Sequence, residues 1–153
     1  NDFYTKLHDY EIGMEYALQQ GMPVIIDFTG YVCVNCRKME AAVWTDSKVG
    51  GIINDKYVLI SLYVDDKTPL NEPINVVEND TERTLRTVGD KWSYLQRVKF
   101  GANAQPFYVL LDNDGNPLNK SYAYNENIKK YILLNTAQPF CYDFHFLIYI
   151  AAK

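Results

Sequence analysis

The order of apolar segments predicts an α/β domain, in which short β-branched runs alternate with helix-spaced stretches. Two observations carry that reading. Residues 24–28 (Val-Ile-Ile-Asp-Phe) and 57–64 (Tyr-Val-Leu-Ile-Ser-Leu-Tyr-Val) are short and apolar almost throughout, as strands buried on both faces must be. Stretches with apolar residues three or four apart stand before the first run and after both. The 153 residues suit one domain, taken here as 1–153. With 48% apolar and 22% charged residues, the chain is not a disordered tail, a collagen-like fibre or a disulfide-stapled miniprotein. Fifteen basic residues against nineteen acidic ones give −4 with no block of like charge, which argues against a nucleic-acid groove. The longest apolar run in the body of the chain is five residues, far short of the roughly 20 that span a bilayer.

Taken in order, residues 3–20 place Tyr4, Leu7, Tyr10, Met14 and Leu18 near helical spacing, and Gly21-Met22-Pro23 ends that helix. The first strand follows. Thr29-Gly30-Tyr31-Val32 then turns into a helix that opens at Cys33 and runs to about residue 44. Thr45-Asp46-Ser47 caps a short helix over 48–54, before the second strand at 57–64. Residues 65–90 hold Pro69, Pro73 and a polar stretch at 78–83, and predict a long loop or insertion with a short hairpin at Asn79-Asp80. Trp92, Leu95 and Val98 mark a helix over 91–100, closed by Gly101. Pro106 precedes a third strand at 107–111, and Asp112-Asn113-Asp114-Gly115 signals a hairpin with its return strand at 117–124. A last helix is expected over 125–134. The tail, 136–153, is atypical: Phe140, Tyr142, Phe144 and Phe146 alternate as in a strand, and residues 146–152 are all apolar. It reads as an added edge strand or as a poorly packed end.

The chemistry centres on the cysteines. There are three, Cys33, Cys36 and Cys141, and an odd number makes a poor disulfide framework. Cys33-Val34-Asn35-Cys36 stands between a buried strand and a helix. Unpaired N–H groups and the dipole at a helix N-terminus favour an anion, so the first thiol ionises more readily. The second lies one turn on, within reach of a mixed disulfide formed at the first. A zinc site would need about four ligands, and Cys141, His8 and His145 are not at ligand spacing. Cys141 and His145 read as unrelated residues. Asp27 lies among Ile25, Ile26 and Phe28, where a buried acid is more often functional than structural. Glu40 lies four residues past Cys36, on its face of the helix.

The stretch Pro-Val-Ile-Ile-Asp-Phe-Thr-Gly-Tyr-Val-Cys-Val-Asn-Cys-Arg-Lys-Met-Glu, residues 23–40, resembles the thioredoxin superfamily. More narrowly it is similar to the C-terminal thioredoxin-like domain of DsbD-type thiol:disulfide interchange proteins. Val-Trp-Thr-Asp-Ser-Lys-Val at 43–49 and Gln-Pro-Phe-Tyr-Val-Leu-Leu-Asp at 105–112 extend the likeness to roughly residues 22–132. The resemblance implies a three-layer sandwich, a central mixed sheet with helices on both faces, and a cis bond before Pro106. It implies thiol–disulfide exchange with Cys33 as nucleophile and Cys36 as resolving thiol. Asp27 matches the family's buried acid and Glu40 a second acid of the DsbD-type domains. Gln105, Pro106, Tyr31 and Val32 fall at the substrate-binding surface. Val32 stands where an aromatic residue is common, and Gln105 where small or β-branched residues are.

The function expected is that of a reductase passing electrons to exported proteins, with no metal or organic cofactor. Its partners are protein disulfides and a membrane-embedded electron-donor domain of the same or another chain. No Met, basic segment or apolar segment precedes Asn1, so either a signal was removed or a longer protein was cut. Both fit a periplasmic or otherwise exported location. Two alternatives stay open: a free-standing thioredoxin-like reductant or isomerase, and a non-catalytic binding module with a structural C-x-x-C.

Overall fold

A computed structural model describes residues 7–41, 55–118 and, in backbone, 122–123. The elements in order are α1 (Tyr10–Gln20), β1 (Val24–Thr29), α2 (Val34–Met39), β2 (Val58–Tyr63), β3 (Pro69–Glu78), β4 (Thr81–Thr87), α3 (Val88–Phe100), β5 (Phe107–Leu111) and β6 (Tyr122–Ala123). The sheet order is β2-β1-β5-β6, with β2 parallel to β1 and the other pairs antiparallel. This is the mixed sheet the sequence predicts. The helices expected over 48–54 and 125–134, the tail, Cys141 and His145 lie outside the described residues.

Alternation along β1 decides what faces where. Val24, Ile26 and Phe28 join Val58, Ile60, Leu62, Phe107, Val109 and Leu111 in one core layer, together with Ala17 of α1 and Trp92 of α3. Ile25, Asp27 and Thr29 point to the opposite face, and all six β1 residues are buried. Leaving nine aliphatic and aromatic side chains in water would cost about 1.5–3 kcal/mol each, so burial of that face fixes the register.

Three differences from the sequence expectations have physical causes. The first helix begins at Tyr10, because Asp9 caps it by accepting from the Ile12 N–H at 2.9 Å. Leu7 instead bridges Ile60 in parallel, its carbonyl accepting from the Ser61 N–H at 3.0 Å. α3 starts at Val88 because Thr87 and Asp90 form a reciprocal capping box. The largest difference is at 65–90, where the expected loop is a long hairpin, β3–β4, turning on Asn79 and Asp80 with φ of 50° and 62°. Its residues are largely exposed, so it lacks the apolar alternation that reveals a strand. Pro73 is tolerated where the register shifts between Pro69 and Ile74.

The hairpin leaves and rejoins the domain at one point. The Gly89 N–H donates to the Asp66 carbonyl at 2.9 Å and the Val88 N–H to the Thr68 carbonyl at 2.8 Å. A β-carbon on Gly89 would stand 2.6 Å from the Val64 carbonyl oxygen and 2.7 Å from Asp66 backbone atoms. Backbone cannot yield as a side-chain tip can. Gly89→Ala should therefore cost about 2–4 kcal/mol of stability, read as a lower urea midpoint with an unchanged slope. A loss below about 0.5 kcal/mol, the level of an ordinary surface change, would show that the junction is loose.

Candidate redox site

The site is built where β1 ends and α2 begins. Cys33 is the N-cap of α2, its sulfur accepting from the Cys36 N–H at 3.2 Å. Cys33 and Cys36 are joined as a disulfide with their Cα atoms 5.2 Å apart. Cys33 is half-buried and Cys36 is 1% exposed, so the two sulfurs differ in access as a nucleophile and a resolving thiol must.

The turn before Cys33 is held from just past the end of β2. Asp65 accepts from the Tyr31 N–H at 2.9 Å and the Val32 N–H at 3.2 Å. The tight fit needs Gly30, where a β-carbon would lie 3.1 Å from the Asp65 carboxylate. Tyr31 stacks on Tyr63 at 4.1 Å, and His8 meets Tyr63 edge-on at 5.6 Å. Asp65 and Tyr63 were not singled out from the sequence. The sign was present in the Tyr-Val-Asp run ending the second strand, but nothing local says that a carboxylate 33 residues away in the chain caps the cysteine turn.

The acids lie on the side of the sheet toward α2, where Arg37 meets Thr29 and Glu40. Asp27 is 5% exposed and its Oδ1 is buried with no hydrogen-bond partner among the described residues. Burial, reinforced by the Glu40 charge and opposed by that of Arg37, pushes its pKa from 3.8 to about 8. Partial burial also raises Glu40, against the pull of Arg37 at 2.9 Å. Asp27 and Glu40 thus share one electrostatic neighbourhood on the face of the sheet that α2 touches through Arg37 and Thr29.

The Gln105–Pro106 bond is cis. Phe107 pairs with Phe28, so Pro106 comes level with the end of β1, at the sheet end from which the cysteine turn departs. The glutamine has its own explanation. Its Nε2 donates to Gln96 Oε1 at 2.8 Å, and Gln96, fully buried on α3, donates to the Ala104 carbonyl at 2.9 Å. A small residue there would leave a buried amide short of a partner. Tyr31 and Val32 are 59% and 86% exposed, and Val34 is 67% exposed. Among the described residues no three His, Cys, Asp or Glu side chains converge to hold a metal ion, and no helix is long and apolar enough to cross a membrane.

Fold and dithiol together define a thiol–disulfide oxidoreductase of thioredoxin type. Residues 4–113 match the family described as thioredoxin-like, and the chain belongs to it. Among solved structures it is similar to a DsbH oxidoreductase, with a TM-score of 0.56 and 14% identity over 80% of this chain and 74% of that one. It is also similar to a thioredoxin-fold protein from Helicobacter pylori, with a TM-score of 0.52 and 11% identity over 87% of this chain and 86% of that one. Likeness at such identities shows the fold alone. No curated protein sequence matches the chain.

Proposed function

We propose that the protein runs as a disulfide reductase of exported polypeptides, in the manner of the DsbD-type domains its motif resembles. The observation that carries the direction is the acid pair beside α2, the helix that bears the dithiol. A strong oxidant is one whose reduced form is stabilised, chiefly as a thiolate. Here the buried Asp27 carboxyl, protonated below about pH 8, adds no positive charge to stabilise a thiolate, and above that pH its negative charge, with that of Glu40, disfavours one.

In the reduced protein, the Cys33 thiolate attacks one sulfur of a partner disulfide, and the partner's other sulfur leaves as a thiolate. Asp27, in its ionised form, then takes the Cys36 proton. The Cys36 sulfur attacks the Cys33 sulfur, releases the second partner thiolate and leaves the Cys33–Cys36 disulfide. Two electrons pass to the partner, and a donor dithiol restores the pair. A membrane-embedded domain is the donor in this reading. Val32, Val34 and Tyr31 form an exposed apolar collar beside Cys33, suited to extended chain with apolar residues flanking its disulfide. Gln105 lies just ahead of the β5 ladder, where its backbone can pair with such a segment as an added strand.

The test is a redox titration against dithiothreitol buffers, with insulin disulfide reduction as the activity. A reversible two-electron transition near the thioredoxin value of about −270 mV is expected. A transition near the DsbA value of about −120 mV would reverse the direction. No transition at all would leave a binding module with a structural C-x-x-C.

A further inference from the structure

Arg37 follows Cys36 directly, and its Nη2 meets three acceptors. Glu40 Oε1 lies at 2.9 Å, Thr29 Oγ1 at 3.1 Å and the Gly30 carbonyl oxygen at 3.1 Å. One Nη2 carries two hydrogens, so three acceptors share them and hold the group from three sides. Two of the three, Thr29 and Gly30, lie at and just past the end of β1, a short way beyond Asp27, and the third is Glu40. An exposed i,i+3 ion pair contributes little. This one differs because the Glu40 side chain is only 14% exposed, and because the arginine is also tied to a strand.

We propose that Arg37 is a positioning residue for the acid pair: it holds the Glu40 carboxylate against the end of β1 and supplies the opposing positive charge that governs proton uptake at Asp27. The proposal rests on the reading of Asp27 as acceptor of the Cys36 proton. The titratable groups around the guanidinium are Asp27 from β1, Glu40 beyond α2, Tyr63 from β2 and Tyr31 from the cysteine turn, and Asp65 anchors that same turn. The opposed charges of Glu40 and Arg37 act on both Asp27 and Tyr63. Arg37 is therefore the counterweight to Glu40 throughout the cluster.

The test is the Asp27 carboxyl titration by carbon NMR in the oxidised protein, where neither Cys33 nor Cys36 titrates, beside the pH profile of insulin reduction. Arg37→Gln should raise the Asp27 midpoint by about 0.5–1 pH unit, less than the 1–3 of a close and dry pair. The turnover profile should move up with it. Arg37→Lys should stay near the unmodified protein, and Arg37→Gln with Glu40→Gln should return toward it, because opposed charges leave together. In the unmodified protein the Arg37 Nε resonance should follow the Asp27 midpoint, which needs no variant to fold. A flat Nε resonance, or an Asp27 midpoint unmoved in Arg37→Gln, overturns the proposal. A midpoint that moves in a protein that reduces no disulfide supports the role of Arg37 and overturns the reductase reading.

Discussion

Changing Cys36 to serine should turn a turnover catalyst into a trap. Cys33 keeps its place at the tip of α2 and can still open a partner disulfide. The buried sulfur that would release the partner is gone. Insulin reduction should fall by about 10³-fold or more, as when one member of a catalytic unit is lost. Mixed disulfides should meanwhile accumulate, visible on non-reducing gels and by intact mass. Cys33→Ser should lose both the turnover and the adducts. Turnover within about tenfold of the unmodified protein in Cys36→Ser would remove the resolving thiol from the mechanism.

Asp27→Asn should stabilise the oxidised protein at alkaline pH and not at acid pH. Its pKa rises from 3.8 to about 8 on folding, so between these values the folded chain binds the proton more tightly than the unfolded chain. Stability therefore falls as pH rises from about 4 to about 8, and is unaffected by this group below that window. About four pH units at 1.36 kcal/mol each set a ceiling of roughly 5–6 kcal/mol. Relaxation around the buried charge brings the expected gain to about 2–4 kcal/mol near pH 9, and close to nothing near pH 4. Urea unfolding at the two pH values measures it. An equal gain at both would mean that the ionised carboxylate is not the source.

Much of this arrangement was legible because strong local signals coincided with burial. The β1 run is apolar on both faces and buried throughout, and C-x-x-C stands at a strand-to-helix junction, where its two sulfurs gain unequal access. Asp27 was legible because a charge inside such a run needs a reason. The hairpin was not legible as strands, since exposed residues carry no period to read. Only its turn residues, Asn79 and Asp80, announced it. Asp65, Tyr63, Arg37 and Gln96 belong to the site through contacts that the fold alone creates. Tyr31 meets Asp65 across 34 positions of sequence, and Gln105 meets Gln96 across a helix end and a loop. Polar pairs of this kind leave no pattern in a single chain.

The closed junction at Asp66 and Gly89 fixes one end of the hairpin. Its hydrogen bonds shut the hairpin off at the root, beyond the Asp65 carboxylate that steadies the cysteine turn. Its far end is tied down as well: Arg97 of α3 donates to Glu78 from Nε at 2.7 Å and from Nη2 at 3.0 Å, next to the turn at Asn79 and Asp80. Pinned at both ends, the ribbon moves as one body with α3, and a shift of that helix would carry its tip along.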